Sequence, residues 1–410
     1  MKKSFIIVVS LCLLVACASK KSSTGWEQND SAFEFTFRPP IDLTKSIFTS
    51  DLKLIIGGSL NMPKTTERTA RSWTVSSLLL SDHEVTNKEY REFIIWTKRK
   101  AAADLLAKTY PEKRLQNGNY NEDIPIDWND PVIQSELFII ENTIKVYNKK
   151  KLIFIIPCDK RNYGYPILEA PVEIYPDTLC IEKEQMLGND YHHILRKYWS
   201  DPRYDNYPVV GVSWIQAWAY CAWRTDRLNE ERLIQEKIID QKSIYNTTEF
   251  LIQLKEKMGN INVLLFPSFR LPTEAEWILA TKTINNSVET DQLFAWDGFR
   301  ITSKKGDYLA NFNQYYLRNS DPFEFTAPVK SFPINGVEMY DLCGNVAEWV
   351  KDRSVSDSIL KVIKGGAWSD SFEQLMTHKF DTLNFNMSSS RVGFRVAMDI
   401  MGTEFMYIIK

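Results

Sequence analysis

The feature that most constrains the fold is the segment Asp341 to Trp349, which reads Asp-Leu-Cys-Gly-Asn-Val-Ala-Glu-Trp. A Gly-Asn pair lies between two acidic residues, Asp341 and Glu348, so the backbone can turn sharply and present carbonyl oxygens between two carboxylates. This combination of oxygen donors suits a hard cation such as calcium. Taken alone, the segment fits slightly better as a surface turn with two solvated acids, and the rest of the chain decides between these interpretations.

Composition excludes one class of function and leaves the domain count open. At 410 residues with 44% hydrophobic content, the chain can form one elaborated domain or two or three smaller ones. Its 12 Trp and 18 Tyr predict an aromatic core. The net charge of −2, from 50 basic and 52 acidic residues, provides no bulk attraction to nucleic acid, so a nucleic-acid-binding protein is excluded.

The N-terminus has the pattern of an exported lipoprotein. A charged Met1-Lys2-Lys3 precedes an apolar run from Phe5 to Val15 that is too short to span a bilayer. The run ends in Leu14-Val15-Ala16-Cys17, which resembles a bacterial lipobox, so we predict a signal peptide over 1–17 and lipidation at Cys17. Residues 18–50 are expected to form a tether, flexible over its polar start at 18–30. A plain signal peptide is the alternative. No acidic retention signal follows Cys17, which favours the outer membrane.

Cysteine and histidine spacing argues against zinc. After loss of the signal peptide and lipidation, four cysteines remain, and they allow three disulfide pairings: Cys158, Cys180, Cys221 and Cys343. Cys158 with Cys180 is the favoured pair, and Cys221 is expected to be a small core residue. There is no Cys-x-x-Cys, and the four histidines are scattered along the chain, so a zinc site is not expected.

Local patterns predict a mixture of short strands and capped helices. Strand patterns cover 51–62, 73–80, 151–156 and the residues before Ser213. Predicted helices start at Thr86 with Glu89 as its capping-box partner, at Ser213, and at Thr273 with Glu276 as its partner; the first runs to about Lys98 and the second from Trp214 to Leu228. The stretches at about 98–190 and 229–262 show no independent core, so we interpret them as insertions in one domain that covers 51–410.

Seven motifs in order are similar to those of one family. They are Ile56-Gly57-Gly58-Ser59, Glu84-Val85-Thr86-Asn87, Pro208 to Trp214, Arg270 to Trp277, Gly344 to Trp349, Lys364 to Trp368 and Arg391 to Arg395. Together they resemble the formylglycine-generating enzyme, or sulfatase-modifying factor, family over about 51–397. The resemblance implies a mixed α+β fold related to C-type lectins, with much irregular backbone.

The resemblance does not extend to the family's oxidase chemistry. That chemistry uses two cysteines that bind copper, and in this chain Asp370 and Leu375 stand where the cysteines are expected. A soft Cu(I) site needs thiolates, so we expect no copper and no enzymatic activity. The alternatives are an enzyme with altered chemistry in a remnant cleft, or a lectin-like binding module. Candidate cleft residues are Asp370, Glu373, His378 and Asp381.

The family's structural calcium sites are retained in the sequence. The resemblance implies one site from the side chains of Asp341 and Glu348 and the carbonyls of Gly344 and Val346. It implies a second from the side chains of Asn311 and Asp321 and the carbonyls of Phe312 and Phe323. All of these donors are oxygens, as calcium requires, so structural calcium is expected at both sites.

A narrower resemblance concerns the whole chain. The lipobox, the degenerate domain and Glu173-Ile174-Tyr175-Pro176-Asp177-Thr178 look like the gliding-motility lipoproteins, closest to the GldK/PorK kind of the type IX secretion ring. The related GldJ kind is the alternative. This resemblance implies a lipid-anchored scaffold at the periplasmic face of the outer membrane. It also implies self-association into a ring with a soluble periplasmic partner of the GldN/PorN type.

Overall fold

The computed structural model describes most of the chain from residue 46 onward. The described residues are 46–62, 71–156, 170–184, 197–239, 241–245, 267–281, 293–296, 299–313, 325–354, 357 and 359–400. The chain divides into two units, Met1–Asp42 and Leu43–Lys410, and every described residue belongs to the second. The predicted signal peptide, the tether up to residue 45 and Cys17 therefore lie outside the described residues.

The described elements are short strands and a few helices, as the sequence predicts. The strands are β1 Leu52–Ile55, β2 Gly58–Met62, β3 Arg71–Val75, β4 Leu78–Ser81, β5 Phe138–Glu141, β6 Ile144–Tyr147, β7 Ile153–Ile156, β8 Ala170–Glu173, β9 Phe269–Arg270, β10 Ala347–Arg353, β11 Leu360–Lys364, β12 Asp381–Asn384, β13 Val392–Gly393 and β14 Ala397–Asp399. The helices are α1 Asn87–Thr109, α2 Pro131–Glu136, α3 Cys180–Glu184, α4 Trp214–Gln235 and α5 Glu274–Thr281. Within the described part of the chain, no helix is both long enough and apolar enough to cross a membrane.

Two four-stranded sheets organise the domain. The first has the order β1-β4-β14-β9, and all of its neighbouring strands are antiparallel. It contains both the first and the last described strand. The second has the order β12-β11-β10-β13, in which only the β10–β13 pair is parallel. One buried cluster contains Leu80 and Ala397 from the first sheet, Val350 and Val362 from the second, and Trp277 from α5. The core therefore connects both sheets to α5.

An aromatic cluster packs α1 against α4. Tyr90 of α1 stacks on Tyr220 of α4 with ring centroids 5.6 Å apart, and Phe93 lies 5.3 Å from Trp223. All four side chains are buried. Aromatic pairs of this kind contribute stability beyond the area they bury, and they confirm the aromatic core predicted from composition.

The three capping motifs mark helix starts correctly. Thr86 and Glu89 form a complete capping box at α1, and Ser213 and Gln216 form another at α4. At α5 the hydroxyl of Thr273 accepts a hydrogen bond from the backbone N–H of Glu276, as predicted. Helix ends were predicted less well, because α1 continues to Thr109 rather than stopping near Lys98.

The first insertion has a core of its own, contrary to the expectation that none exists. Buried side chains of α1 pack with Ile133 and Tyr120, and Ile244 and Tyr245 from the second predicted insertion complete the cluster. The carboxylate of Glu122 also accepts hydrogen bonds from the Ser243 hydroxyl at 2.5 Å and the Ile244 N–H at 2.9 Å. The cluster was missed because its apolar residues come from segments separated by more than a hundred positions.

Candidate metal centre and remnant cleft

The loop before β10 has the sharp turn that its Gly-Asn pair predicts. Asp341, Gly344 and Asn345 have φ values of 54°, 84° and 60°, all in the left-handed region. A Cβ at position 344 would overlap the carbonyl oxygen of Asn311, so only glycine fits there without displacement. Asn345 anchors the turn, because its N–H donates to the Asn311 carbonyl at 2.8 Å and its carbonyl accepts from the Trp368 N–H at 2.8 Å.

Glu348 is held by an arginine and a tryptophan. Its Oε1 accepts from Arg395 Nη2 at 2.6 Å, and its Oε2 accepts from Arg395 Nε at 2.7 Å and from Trp277 Nε1 at 2.8 Å. All three side chains are fully buried. Both carboxylate oxygens of this predicted calcium ligand are thus occupied by protein donors.

Asp341 is also buried, and among the described residues only backbone N–H groups donate to its carboxylate. Its Oδ2 accepts from the Lys330 N–H at 2.5 Å and its Oδ1 from the Phe332 N–H at 3.3 Å. Burial raises the pKa of Asp341 to about 6, against the opposing effects of these hydrogen bonds and of Arg395. A cation beside this carboxylate would favour its charged form.

Glu84 is a third buried acid at this centre, and the sequence analysis did not assign it. Its Oε1 accepts from Asn345 Nδ2 at 3.0 Å, whereas its Oε2 has no partner among the described residues. Burial, followed by the negative charge of Asp341, raises the pKa of Glu84 well above its usual range. The residue belongs to one of the seven motifs, but its place before a helix cap indicated only a helix start.

The second predicted calcium site is described in part. Asn311 is buried; its Nδ2 donates to the Phe325 carbonyl at 2.8 Å, and its Oδ1 has no partner among the described residues. Phe312 lies in the main core cluster. Asp321 and Phe323 lie outside the described residues, so their predicted roles as ligands stay predictions.

The donors present suit a hard cation, provided that backbone and amide oxygens contribute. Within the described part of the chain, no three His, Cys, Asp or Glu side chains are arranged to hold a metal by themselves. The buried oxygens without a hydrogen-bond partner there include Glu84 Oε2 and Asn311 Oδ1. A buried oxygen without a partner is costly in a core. A calcium ion at each predicted site would bind the oxygen there together with the neighbouring carbonyl oxygens.

The residues at the expected copper positions are packed into the structure. The Asp370 carboxylate accepts from the Ala367 N–H at 2.9 Å and lies 3.4 Å from Arg391 Nη2. Leu375 is fully buried in the main core cluster. Burial raises the pKa of Asp370, while Arg391 opposes that shift.

Asp381 and Glu373, two other candidate cleft residues, make separate contacts. Asp381 lies 3.6 Å from Arg391 Nη2, so Arg391 is between two acids. Glu373 is exposed, and a hydrogen bond from Ser371 lowers its pKa. These contacts link Asp370 and Asp381 through one arginine, and they provide no acid–base pair with a defined separation.

Burial makes two of the cysteines poor nucleophiles. Cys221 and Cys343 are free thiols inside the core, and burial raises the pKa of each to about 12. Cys221 is therefore the small core residue that its helix pattern predicts. Cys180 is buried at the start of α3, and Cys158 lies outside the described residues, so their pairing stays a prediction.

The chain matches one family model and is similar to several known proteins. The model of the sulfatase-modifying factor enzyme 1-like domain matches residues 45–400. Formylglycine-generating enzyme of Mus musculus is 28% identical over 219 residues, which cover 48% of this chain and 46% of that protein. Inactive C-alpha-formylglycine-generating enzyme 2 of Bos taurus is 26% identical over 206 residues, covering 47% and 50%. The chain thus spans about half the length of the curated relatives it matches.

Similar solved structures include PvdO from Pseudomonas aeruginosa. It superposes with a TM-score of 0.41 and 16% identity, covering 85% of this chain and 94% of that one. The superposition is too loose to support an argument about site or function.

Proposed function

We propose that this chain, which belongs to the sulfatase-modifying factor enzyme 1-like family, is a non-catalytic structural lipoprotein of the type IX secretion and gliding-motility ring. In this proposal Cys17 carries the lipid, the outer membrane holds the anchor, and the domain faces the periplasm. The domain self-associates into a ring and binds a soluble partner of the GldN/PorN type. The lipobox and the ordered motifs of the sequence support this assignment.

The observation that carries the non-catalytic part of the proposal is the packing at positions 370 and 375. Asp370 is committed to the Ala367 N–H and Arg391, and Leu375 fills the core. Neither side chain offers a thiolate for Cu(I). One matched relative is itself named as inactive, which supports a non-catalytic use of this domain.

The first insertion offers a surface for the partner. Strands β5 and β6 form a hairpin around Asn142 and Thr143, whose positive φ values of 49° and 68° are typical of a tight two-residue turn. One face of the hairpin packs Phe138 and Tyr147 against the insertion core. The register leaves Ile139, Ile144 and Val146 together on the opposite face.

The β5–β6 hairpin and strand β7 expose large aliphatic side chains to solvent. On the face opposite the insertion core, Ile144 is 65% exposed and Ile139 38%. Ile140 on the other face is 76% exposed, and β7 adds Ile155 at 54%. Among the described residues, β5–β6 and β7–β8 are each a two-stranded sheet, so their outer edges there carry backbone groups available for pairing. Protruding apolar side chains beside free strand edges are typical of protein–protein contacts. We assign this surface to the periplasmic partner.

Calcium is the cofactor that the donor chemistry supports. We propose structural calcium at Asp341 and Glu348 with the carbonyls of Gly344 and Val346. We also propose it at Asn311 and Asp321 with the carbonyls of Phe312 and Phe323. In both sites the ion would stabilise the fold by holding together the loops that carry its oxygen ligands. No copper site is proposed.

Native purification tests the scaffold proposal. A C-terminally tagged chain is extracted from the outer membrane in mild detergent, and the mass and composition of the eluted species are measured. We expect a very large assembly with a second periplasmic protein at fixed ratio. Elution as a lone lipoprotein of monomer mass would contradict the proposal and direct attention to the Asp370 cleft.

A matched pair of variants tests the partner surface. Ile139→Glu with Ile144→Glu is expected to remove the second protein from the assembly, because both side chains lie on the same face of the hairpin and charged side chains oppose its burial in an interface. Ile56→Glu changes an isoleucine that is 75% exposed outside the insertion, so it should leave the composition unchanged. Equal losses in both variants, or in neither, would reject the assignment.

A further inference from the structure

Three buried carboxyl groups surround the loop before β10, and one guanidinium accompanies them. Glu84 and Glu348 are 0% exposed, Asp341 is 6% exposed, and the guanidinium belongs to Arg395, also 0% exposed. The Arg395 contacts pair it with Glu348. Among the described residues, Glu84 and Asp341 form no ion pair with a cationic side chain, and the nearby Lys330 ammonium pairs with Asp82.

The unsatisfied oxygen at this centre belongs to Glu84 and not to Glu348. Glu348 accepts from Arg395 and Trp277 through both oxygens. Glu84 uses only Oε1, which accepts from Asn345 Nδ2 at 3.0 Å, and its Oε2 has no partner among the described residues. Because Asn345 lies between Gly344 and Val346, this contact places the Glu84 carboxylate beside the backbone segment expected to present carbonyl oxygens.

Charge balance favours a divalent cation here. Two neighbouring carboxylates in a desolvated centre repel each other, and an uncompensated pair is strongly destabilising. One divalent cation neutralises both charges and gives the orphaned oxygen a partner. The available donors are carboxylate and carbonyl oxygens, which calcium prefers and which thiophilic metals do not.

We propose that Glu84 is a ligand of a divalent cation, calcium by its donor chemistry, which it binds together with Asp341 and the 344–346 backbone. The inference deepens the calcium proposal above and rests on it, and it reassigns one role. Glu84 supplies the free carboxylate oxygen, whereas Glu348 is a positioning residue that orients Arg395 and Trp277.

Calcium-dependent stability of the full-length chain tests the assignment. The chain, in mild detergent, is stripped with a chelator, and its Tm is followed by tryptophan fluorescence with and without added calcium. The Asp321→Asn background removes the second predicted site, so the remaining response comes from the loop before β10. Calcium should raise the Tm in this background, and adding Glu84→Gln should abolish the rise and weaken the Kd on the order of tenfold or more.

The same variants distinguish a cation from a bound proton. If Glu84 simply carries a proton, the isosteric Gln preserves its hydrogen bonding, and the calcium response of the Asp321→Asn chain persists. That result would overturn the proposal. Absence of any calcium response in the unmodified chain would reject both calcium proposals, whereas the scaffold proposal depends only on the composition of the assembly.

Two further measurements cover a variant that fails to fold. Glu84→Asp keeps the charge on a shorter side chain, so it should retain calcium binding with reduced affinity. A crystal structure grown with calcium gives a direct reading, with the ion expected about 2.3–2.6 Å from Glu84 Oε2. An ion bound in the loop without Glu84, or no ion there, would contradict the assignment.

Discussion

At the scale of single residues, the loop before β10 depends on backbone conformations that most side chains oppose. Gly344 has φ +84° and lies against the Asn311 carbonyl, whereas Gly118 has φ +90° with nothing within 4 Å of the position that a Cβ would take. Both positions carry the same conformational cost for an L-residue, about 1–2 kcal/mol. They differ in whether a Cβ would overlap neighbouring backbone, so comparing them separates this overlap from the conformational cost.

We therefore expect Gly344→Ala to destabilise the protein more than Gly118→Ala. The excess should be about 1–3 kcal/mol, because the overlap with backbone forces the loop to move. Urea unfolding followed by tryptophan fluorescence measures both free energies of unfolding. Equal losses would show that the loop accommodates a methyl group without displacement.

Arg395 provides a second test at this scale. Arg395→Met leaves Glu348 buried without its cationic partner and removes a guanidinium that lies among three buried acids. Breaking one side of a buried pair costs about 3–5 kcal/mol.

The matched control for Arg395 is Arg203→Met. Arg203 pairs with Asp201 at the surface, where its side chain is 75% exposed, so its loss should change the free energy of unfolding by less than about 1 kcal/mol. Urea unfolding of both variants, compared at one ionic strength, gives the two losses. A small loss for Arg395→Met would mean that the buried acids are neutralised without the arginine.

At the scale of elements, helix starts were predictable from sequence and strand partners were not. Caps at Thr86 and Ser213 are local, since a side chain satisfies backbone groups two or three residues away. The pattern at 73–80 was predicted as one strand, but β3 pairs with β2 and β4 lies between β1 and β14. Nothing in an alternating pattern states which sheet a strand joins.

The candidate centre shows the same limit at longer range. The acids in the 341–349 loop were found because they share one short motif. Glu84 was not found, because its hydrogen-bond partner Asn345 is 261 positions away in sequence. The excess of buried carboxyl groups over cationic side chains at the centre appears only when those segments are brought together in the fold.

A capping variant checks the local part of this account. Ser213→Ala removes the hydroxyl that accepts from the Gln216 N–H at the start of α4, and it should cost about 1 kcal/mol. Ser135→Ala removes an exposed hydroxyl that bonds only within α2, so it should change stability by less than about 0.5 kcal/mol. Thermal unfolding of both variants by circular dichroism gives the comparison, and equal effects would mean that packing alone fixes the start of α4.

At the scale of the whole molecule, the first sheet is complete only when strand β14 is present. Strand β14 lies inside the first sheet, with Ala397 opposite both Leu80 of β4 and Arg270 of β9. The backbone just before it continues the contact, because the Phe394 carbonyl accepts from the Val85 N–H at 2.8 Å. Strand β4 therefore remains without this neighbour until residues 397–399 have been synthesised.

A pair of truncations tests this dependence on the C-terminal segment. A chain ending at Ile400 keeps every described element, so it should unfold in one cooperative transition close to that of the full chain. A chain ending at Phe394 loses Arg395 together with β14, which leaves β4 and β9 unpaired on that side and Glu348 without its cation. We expect this chain to lose the cooperative transition and to aggregate, because open strand edges and an unpaired buried charge act together. Limited proteolysis and thermal scans compare the two chains. A protected, cooperative domain in the shorter chain would show that the β1–β4 pair and the second sheet fold without the strand that joins β4 to β9.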